Sequence, residues 1–167
     1  MKFLILFLLF FSVNTYAVDL TDRIGVGYSN AFITQDTPSI QVKYSPTRAL
    51  SFVAAFGVDT SDDDSNFGFL LKAHKIIFHE SNLNFYLGGH AAFVSQETTI
   101  NVLGVKSSDT DSGFEFGVLC GAEFFIPGLE NLGITFEAGL GLTTVGDGVR
   151  FKTTAHSPLT AGMIFYF

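Results

Sequence analysis

The chain has 167 residues, of which 9 are Lys or Arg and 16 are Asp or Glu, so its formal net charge at pH 7 is −7. A chain this acidic repels phosphate backbones, and no cluster of basic residues offsets that repulsion, which excludes nucleic-acid binding. The length suits one domain. The single cysteine, Cys120, has no partner for an intramolecular disulfide.

Residues 1–17 have the features of a cleavable signal peptide. Lys2 precedes an apolar run from Phe3 to Val13, and Thr15-Tyr16-Ala17 places small residues at the alternate positions that a signal peptidase requires. Cleavage is therefore predicted after Ala17, leaving residues 18–167 as one exported domain. A membrane-anchoring helix is the alternative, but it needs about 20 apolar residues. No cysteine follows the cleavage site, so a lipid-modified amino terminus is not expected.

From Asp22 onward, apolar side chains alternate with small or polar ones in segments separated by turn signals, which predicts strands. No segment sustains an apolar period of 3.6 residues, so no helix is predicted in the exported domain. The predicted strands are Arg23–Asn30, Ile40–Ser45, Leu50–Asp59, Phe67–Phe78, Leu83–Ser95, Gly113–Phe125, Leu132–Thr144 and Leu159–Phe167.

The connections between these strands alternate in length. Short turns at one end and long loops at the other are the plan of a transmembrane β-barrel, with the turns on the periplasmic side. The short connections are Pro46–Ala49, His79–Asn82 and Pro127–Asn131, and the long ones are Ala31–Ser39, Thr60–Asn66, Gln96–Ser112 and Val145–Pro158. The predicted fold class is all-β: an eight-stranded, antiparallel, up-and-down transmembrane β-barrel.

Alternation alone does not say which row of side chains faces water. A soluble, lipocalin-like barrel would enclose the apolar row, and an outer-membrane barrel would turn it toward lipid. The opposite row is rich in glycine and small polar residues and lacks the roughly 25–35% of charged residues that a solvated face carries. We therefore predict that the apolar row faces lipid. Aromatic residues at the strand ends would form two interfacial girdles, with Tyr28, Phe67, Phe93 and Phe114 on the loop side and Tyr44, Phe52, Phe85, Phe124 and Phe165 on the turn side.

The Gly-rich alternation of Arg23–Tyr28, the segments Phe114–Gly117 and Phe136–Gly141, and the terminal Phe167 resemble the small eight-stranded outer-membrane proteins, the group that includes OmpX and the OmpA transmembrane barrel. The resemblance implies a monomer in the bacterial outer membrane, in contact with its lipids and lipopolysaccharide. It also implies that Phe165 and Phe167, on a strand that ends the chain, are the assembly signal for the outer-membrane barrel assembly machinery.

Charged side chains in the inward row need partners, because an isolated charge in a poorly hydrated lumen costs several kcal/mol. Counting from the short turns places opposite charges at similar heights. We therefore expect a lumen charge network that fills and closes the tube. Its members are Lys72, His74, His90 and Glu137 near mid-barrel, Arg23, Lys43 and Glu123 near the periplasmic end, and Glu115 near the loops.

The same set allows other interpretations. Conduction through rearranged ion pairs would make the barrel a narrow channel, although eight strands leave an interior only just wide enough for side chains. A metal site at His74 and His90 lacks a third ligand nearby, so neither a metal nor another cofactor is expected.

The predicted outer loops are acidic. Their carboxylates suit Ca²⁺ or Mg²⁺ near lipopolysaccharide phosphates, but Asp62-Asp63-Asp64 lacks the spaced ligands of an EF-hand, which favours solvated loop tips. The loop residues concerned are Asp36, Asp59, Asp62, Asp63, Asp64, Glu97, Asp109, Asp111 and Asp147, against Lys106, Arg150 and Lys152.

Loop 96–112 is a candidate contact for an external protein partner. Thr98–Val102 and Val105–Ser107, around Leu103-Gly104, could continue the adjacent strands as a protruding hairpin with a free edge. An ordinary mobile loop is the favoured interpretation, because hairpins with these turn residues are weakly specified.

A lipid A deacylase or palmitoyltransferase would need an activated loop-side nucleophile or base. Only His156-Ser157 with Asp147 offers one, and adjacent residues on an extended strand point to opposite faces. No catalytic residue is therefore expected. We predict a structural or surface-interaction role; a narrow passive channel for small solutes or ions is the second hypothesis, and a lipid A-modifying enzyme is the third.

Overall fold

The computed structural model describes residues 18–60, 64–102, 105–146, 148–153 and 159–167. The predicted signal peptide, residues 1–17, lies outside this part of the chain. Within it the strands are β1 Ile24–Ser29, β2 Ser39–Thr47, β3 Leu50–Thr60, β4 Asp64–Glu80, β5 Leu83–Val102, β6 Val105–Ile126, β7 Leu129–Thr143, β8 Arg150–Thr153 and β9 Thr160–Tyr166. Within the same residues, no helix has the length and apolar character needed to cross a membrane.

The strands form one closed antiparallel wall. From β1 to β7, each strand pairs with the next. β9 pairs with Leu132–Glu137 of β7, and β8 pairs with Leu140–Thr143 further along β7, so β8 and β9 are two segments of one eighth wall strand. The other edge of β9 pairs with Gly25–Ser29 of β1, which closes the barrel. The predicted eight-stranded, antiparallel, up-and-down fold is confirmed.

Three of the four predicted long loops contain several residues of paired strand. In the predicted loop Thr60–Asn66, β3 extends to Thr60 and β4 begins at Asp64. The favoured interpretation of residues 96–112 as an ordinary loop is wrong, because β5 and β6 stay paired from Ser95 and Ser112 to Val102 and Val105. β-branched residues are frequent from Thr98 to Val102 and favour an extended backbone, which explains why the ladder continues beyond the end of β7. The predicted loop from Val145 to Pro158 also includes a strand, since β8 lies within it.

The apolar row lies on the outside of the barrel. On β6, Phe116 is 53% exposed and Val118 is 64% exposed, whereas the flanking inward side chains of Glu115 and Leu119 are buried. The lipocalin-like alternative, which would enclose the apolar row, is therefore wrong. Inward positions carry glycine where bulky neighbours fill the tube: a Cβ on Gly121 would lie 2.7 Å from the Tyr86 ring.

Aromatic rings on the loop side form a continuous outward row across four strands. The ring centroids of Phe56 and Phe67 are 5.3 Å apart, those of Phe67 and Phe93 are 6.4 Å apart, and those of Phe93 and Phe114 are 5.5 Å apart. Such a band suits the boundary between hydrocarbon and lipid headgroups.

The orientation of the wall predicts the effect of an outward charge. Replacing Val118 by Lys places an ammonium group in hydrocarbon, so the free energy of unfolding should fall by about 2–4 kcal/mol if Val118 lies near the bilayer midplane. Val118→Ala is the matched control, because it removes outward volume without adding charge. Urea unfolding in phospholipid vesicles measures both variants, and a Lys variant as stable as the Ala variant would contradict the orientation.

Candidate functional site

The candidate functional site is the interior of the barrel, which side chains occupy from one mouth to the other. We divide it into three layers. The periplasmic layer contains Lys43, Glu123 and Tyr166; the middle layer contains Lys72, His74, Tyr86, His90 and Glu137; the outer layer contains Glu115 and residues 31–37, which we name the plug. Each of these residues outside the plug is at most 7% exposed. The plug itself contains both buried and exposed side chains.

A buried ion pair forms the periplasmic layer. Lys43 Nζ lies 2.7 Å from Glu123 Oε2, and both side chains are almost fully buried. The Tyr166 hydroxyl donates to the other carboxylate oxygen of Glu123. The ammonium group also lies 5.6 Å from the ring centroid of Tyr86 and 5.9 Å from that of Tyr166. This carboxylate therefore has both a cation and a hydroxyl donor, which a charge excluded from water requires.

The segment before β1 covers the periplasmic mouth. Leu20 is buried against Phe125, Ile164 and Tyr166. Below it, Arg48 donates to Asp19 Oδ2 from Nε at 2.7 Å and from a terminal nitrogen at 2.5 Å. These bonds, together with those from Thr21, hold the pKa of Asp19 well below its usual value. Arg48, in the turn between β2 and β3, thus holds in place the segment that carries Leu20.

Arg23 has a different environment from the one expected. It lies half-buried at the periplasmic rim and donates to Asn131 Oδ1 at 2.7 Å and to the carbonyl oxygen of Tyr166 at 3.2 Å. A longer bond of 3.4 Å reaches the backbone oxygen of Phe167. No ion pair joins Arg23 to a carboxylate side chain within the described residues. Its contacts join the residue before β1 to β7 and to the end of the last strand instead.

Glu137 is the hub of the middle layer. One of its carboxylate oxygens accepts a bond from Lys72 Nζ. The other accepts a bond of 2.9 Å from the Tyr86 hydroxyl and lies 3.5 Å from His74 Nε2. The His74 ring stacks on Tyr86, with centroids 4.3 Å apart. Three strands, β4, β5 and β7, are therefore joined across the tube at one height.

His90 is buried in the same layer, but its ring nitrogens have no hydrogen-bond partner among the described residues. A Cβ on Gly117 would lie 2.4 Å from the imidazole, so glycine at that position makes room for the ring. In the part of the chain that the structure describes, no group of three His, Cys, Asp or Glu residues could hold a metal ion.

Glu115 joins the outer layer to the wall. Its carboxylate accepts the Ile33 N–H at 2.9 Å and the Thr34 N–H at 2.7 Å, and it also accepts the Thr34 hydroxyl. Phe32 packs into the apolar part of this layer with Leu70, Ala92, Val94 and other buried residues. The predicted outer loop Ala31–Ser39 is thus folded into the lumen, and the prediction that it lies outside is wrong.

Several functional side chains were missed by the sequence analysis. Tyr86 and Tyr166 point into the lumen, but a tyrosine in a barrel sequence is usually interpreted as a residue of the interfacial girdles. The sequence did contain an indication that residues 31–37 fold inward: Ala31-Phe32-Ile33 is an apolar triplet in a segment predicted to be solvated. Leu20, an isolated apolar residue between Asp19 and Thr21, gave a weaker signal of the same kind.

Other predicted site residues are placed as follows. Phe165 and Phe167 point outward on the turn side, with ring centroids 5.3 Å apart, and their role as an assembly signal stays a prediction. Asp147 and His156-Ser157, the only loop-side combination considered for catalysis, lie outside the described residues.

Comparison with known proteins supports the description of the wall. No protein-family model matches the chain, and no curated protein matches its sequence. Among solved structures, the N-terminal β-barrel domain of Pseudomonas aeruginosa OprF matches with a TM-score of 0.57 and 14% identity, over 88% of this chain and 98% of that chain. Neisserial surface protein A, NspA, matches with a TM-score of 0.50 and 18% identity, over 87% of this chain and 95% of that one.

The fold is that of a small outer-membrane β-barrel. The likeness to both structures, together with the outward apolar surface, supports an outer-membrane location. At these identities the likeness concerns the wall, so the contents of the lumen must be interpreted from this chain's own residues.

The periplasmic layer predicts a large effect from removing one partner. Glu123→Gln leaves Lys43 buried without a carboxylate, which should lower the free energy of unfolding by about 3–5 kcal/mol. The double variant Lys43→Met/Glu123→Leu removes both charges and should be much closer to the parent. Urea unfolding in phospholipid vesicles measures the three proteins. A single variant as stable as the double variant would contradict the description of Lys43 and Glu123 as a dependent pair.

Proposed function

We propose that the protein is a closed, non-conducting outer-membrane β-barrel with a structural or surface-interaction role. The observation that carries this proposal is the filled lumen, in which the periplasmic ion pair, the Glu137 hub and the plug each occupy the cross-section. A channel would need a continuous hydrated path, and eight strands leave little room beyond the side chains. No catalytic step is part of the proposal.

The interacting surface would be the end of the β5–β6 hairpin. β7 ends at Thr143, opposite Glu115, so residues 105–112 of β6 continue past it with no strand on that edge among the described residues. An open edge is a template for an added strand. Asp109 and Asp111 are exposed there and would favour a basic, extended polypeptide.

The backbone direction of this edge follows from Phe114. Its carbonyl accepts the Thr144 N–H at 2.9 Å, and its own N–H donates to Thr144 Oγ1 at 2.9 Å. Backbone groups of every second residue point to the same side of a strand. The N–H and C=O groups of Ser112, Thr110 and Ser108 therefore face the open edge, while those of Asp109 and Asp111 face β5.

The acidic loops supply a second form of contact in this proposal. Asp36, Asp59, Asp109 and Asp111 are exposed at the loop end. Divalent cations could bridge such carboxylates to lipopolysaccharide phosphates, because hard cations prefer oxygen ligands. In this proposal the protein is a monomer, and its apolar outer surface contacts lipid. The outward Phe165 and Phe167 would be read by the barrel assembly machinery before the barrel closes.

The closed lumen predicts no steady conductance when the purified protein is inserted into planar bilayers. Variants Glu137→Gln and Lys72→Met should stay silent too, because the periplasmic layer and the plug still fill the tube. Glu130→Gln, an exposed change at the periplasmic end of β7, is the control for charge removal. Single-channel current that is steady in the parent and altered by Glu137→Gln or Lys72→Met, but not by Glu130→Gln, would establish the channel instead.

The open edge predicts a specific sensitivity to proline. A photo-crosslinking residue at position 108 should capture an external polypeptide on intact cells, and Thr110→Pro should abolish capture because it removes an N–H on the open edge. Thr110→Ala keeps that N–H and is the matched control. Mass spectrometry identifies the adducts. Capture of lipopolysaccharide alone, or of a polypeptide equally in both variants, would contradict strand addition at this edge.

A further inference from the structure

The wall of the outer lumen is shaped around the plug. A Cβ on Gly68 would lie 2.5 Å from the Phe32 ring, and one on Gly57 would lie 2.9 Å from the same ring. A Cβ on Gly141 would lie 2.2 Å from Cδ1 of Ile33. Glycines from β3, β4 and β7 thus form a socket for two side chains of one loop, so the inward position of residues 31–37 is built into the wall.

The plug is attached differently from every strand of the wall. Among the described residues, no backbone-to-backbone hydrogen bond joins residues 31–38 to the barrel. The polar attachment runs through one side chain, Glu115, which accepts two backbone N–H groups and the Thr34 hydroxyl. Gln35 is buried with neither its amide nitrogen nor its amide oxygen bonded to the described residues. Leaving the lumen would break no strand ladder and would hydrate that amide.

We propose that residues 31–37 are a releasable plug and that Glu115 is the latch that keeps them in the lumen. Release opens the outer chamber, whose walls include Leu70, Ala92 and Val94, to the exterior of the cell. The Glu137 hub beneath it is held by residues of the wall itself and stays closed. The plug is therefore a gate to a chamber and not to a pore, and it is independent of any partner on the β6 edge.

Cysteine accessibility tests the gate directly. The reporter is Val94→Cys, a nearly isosteric change at a residue that is 0% exposed and belongs to the same buried cluster as Phe32, in a Cys120→Ser background. Its rate of reaction with a small, charged methanethiosulfonate reagent is measured on folded protein in detergent micelles. The test variant is Glu115→Ala, and Glu130→Gln is the control because it removes an exposed carboxylate that lies outside the outer layer.

Glu115→Ala should raise the labelling rate at position 94 at least tenfold, and Glu130→Gln should leave it unchanged. A second reporter, Val53→Cys, lies deeper, beside Lys43 and Lys72 in the strand register. Its rate should not respond to Glu115→Ala, since the middle layer stays closed. Rapid labelling at position 94 in the parent would show that no plug closes the chamber, and a folded Glu115→Ala protein with the parent's rate would show that Glu115 is not the latch.

A second variant covers the case in which Glu115→Ala does not fold, as judged by the altered mobility of the unboiled protein on a gel. Gly68→Ala puts a methyl group into the Phe32 position of the socket and should also raise the labelling rate at position 94. A folded Gly68→Ala protein with the parent's labelling rate would show that Gly68 is not needed to seat Phe32, and it would contradict the proposal that residues 31–37 are a gate.

Discussion

Closure of the backbone ladder is the constraint from which the rest of the structure follows. Hydrocarbon offers no hydrogen bonds, so every backbone N–H and C=O in the wall must be paired within the sheet. The last strand meets this requirement by pairing with both β7 and β1. A closed sheet has a strict inside and outside, and the two-residue repeat then sends one predominantly apolar row of side chains to lipid and the alternate row into a narrow tube. The charges of the lumen are a consequence of that sorting.

The buried charges of the periplasmic and middle layers depend on partners that the wall holds in place. Glu137 is shared by Lys72, Tyr86 and His74, and Glu123 by Lys43 and Tyr166. Glu115 is different, because its partners in the described chain are the backbone and hydroxyl of a loop. Buried pairs are weak evidence of stability, since well-packed apolar residues often do as well. What they do here is occupy the cross-section with groups that cannot separate without cost, which favours a closed barrel.

The sequence predicts the features that follow from the two-residue alternation, and it does not predict those that depart from this pattern. The strands, their orientation and the common height of Lys72 and Glu137, which are 65 residues apart, follow from counting two-residue steps from the turns. The inward course of residues 31–37 does not, because a loop has no period and its latch is more than 80 residues away in sequence. Tyr86 was missed for a related reason: an aromatic residue suits both the girdle and the lumen, and only register distinguishes them.

The features that distinguish this barrel from other closed eight-stranded sheets are therefore those that lie outside the alternating pattern. A likeness at 14% and 18% identity shows that very different side chains can satisfy the same closed sheet. The wall thus constrains activity weakly. Leu20 at one mouth, the plug at the other and the long β5–β6 hairpin are not required for closure, yet each has specific contacts or a specific edge. Because the middle layer is held by strands and the plug by a single carboxylate, a stimulus at the cell surface would move the plug first and leave the membrane barrier intact.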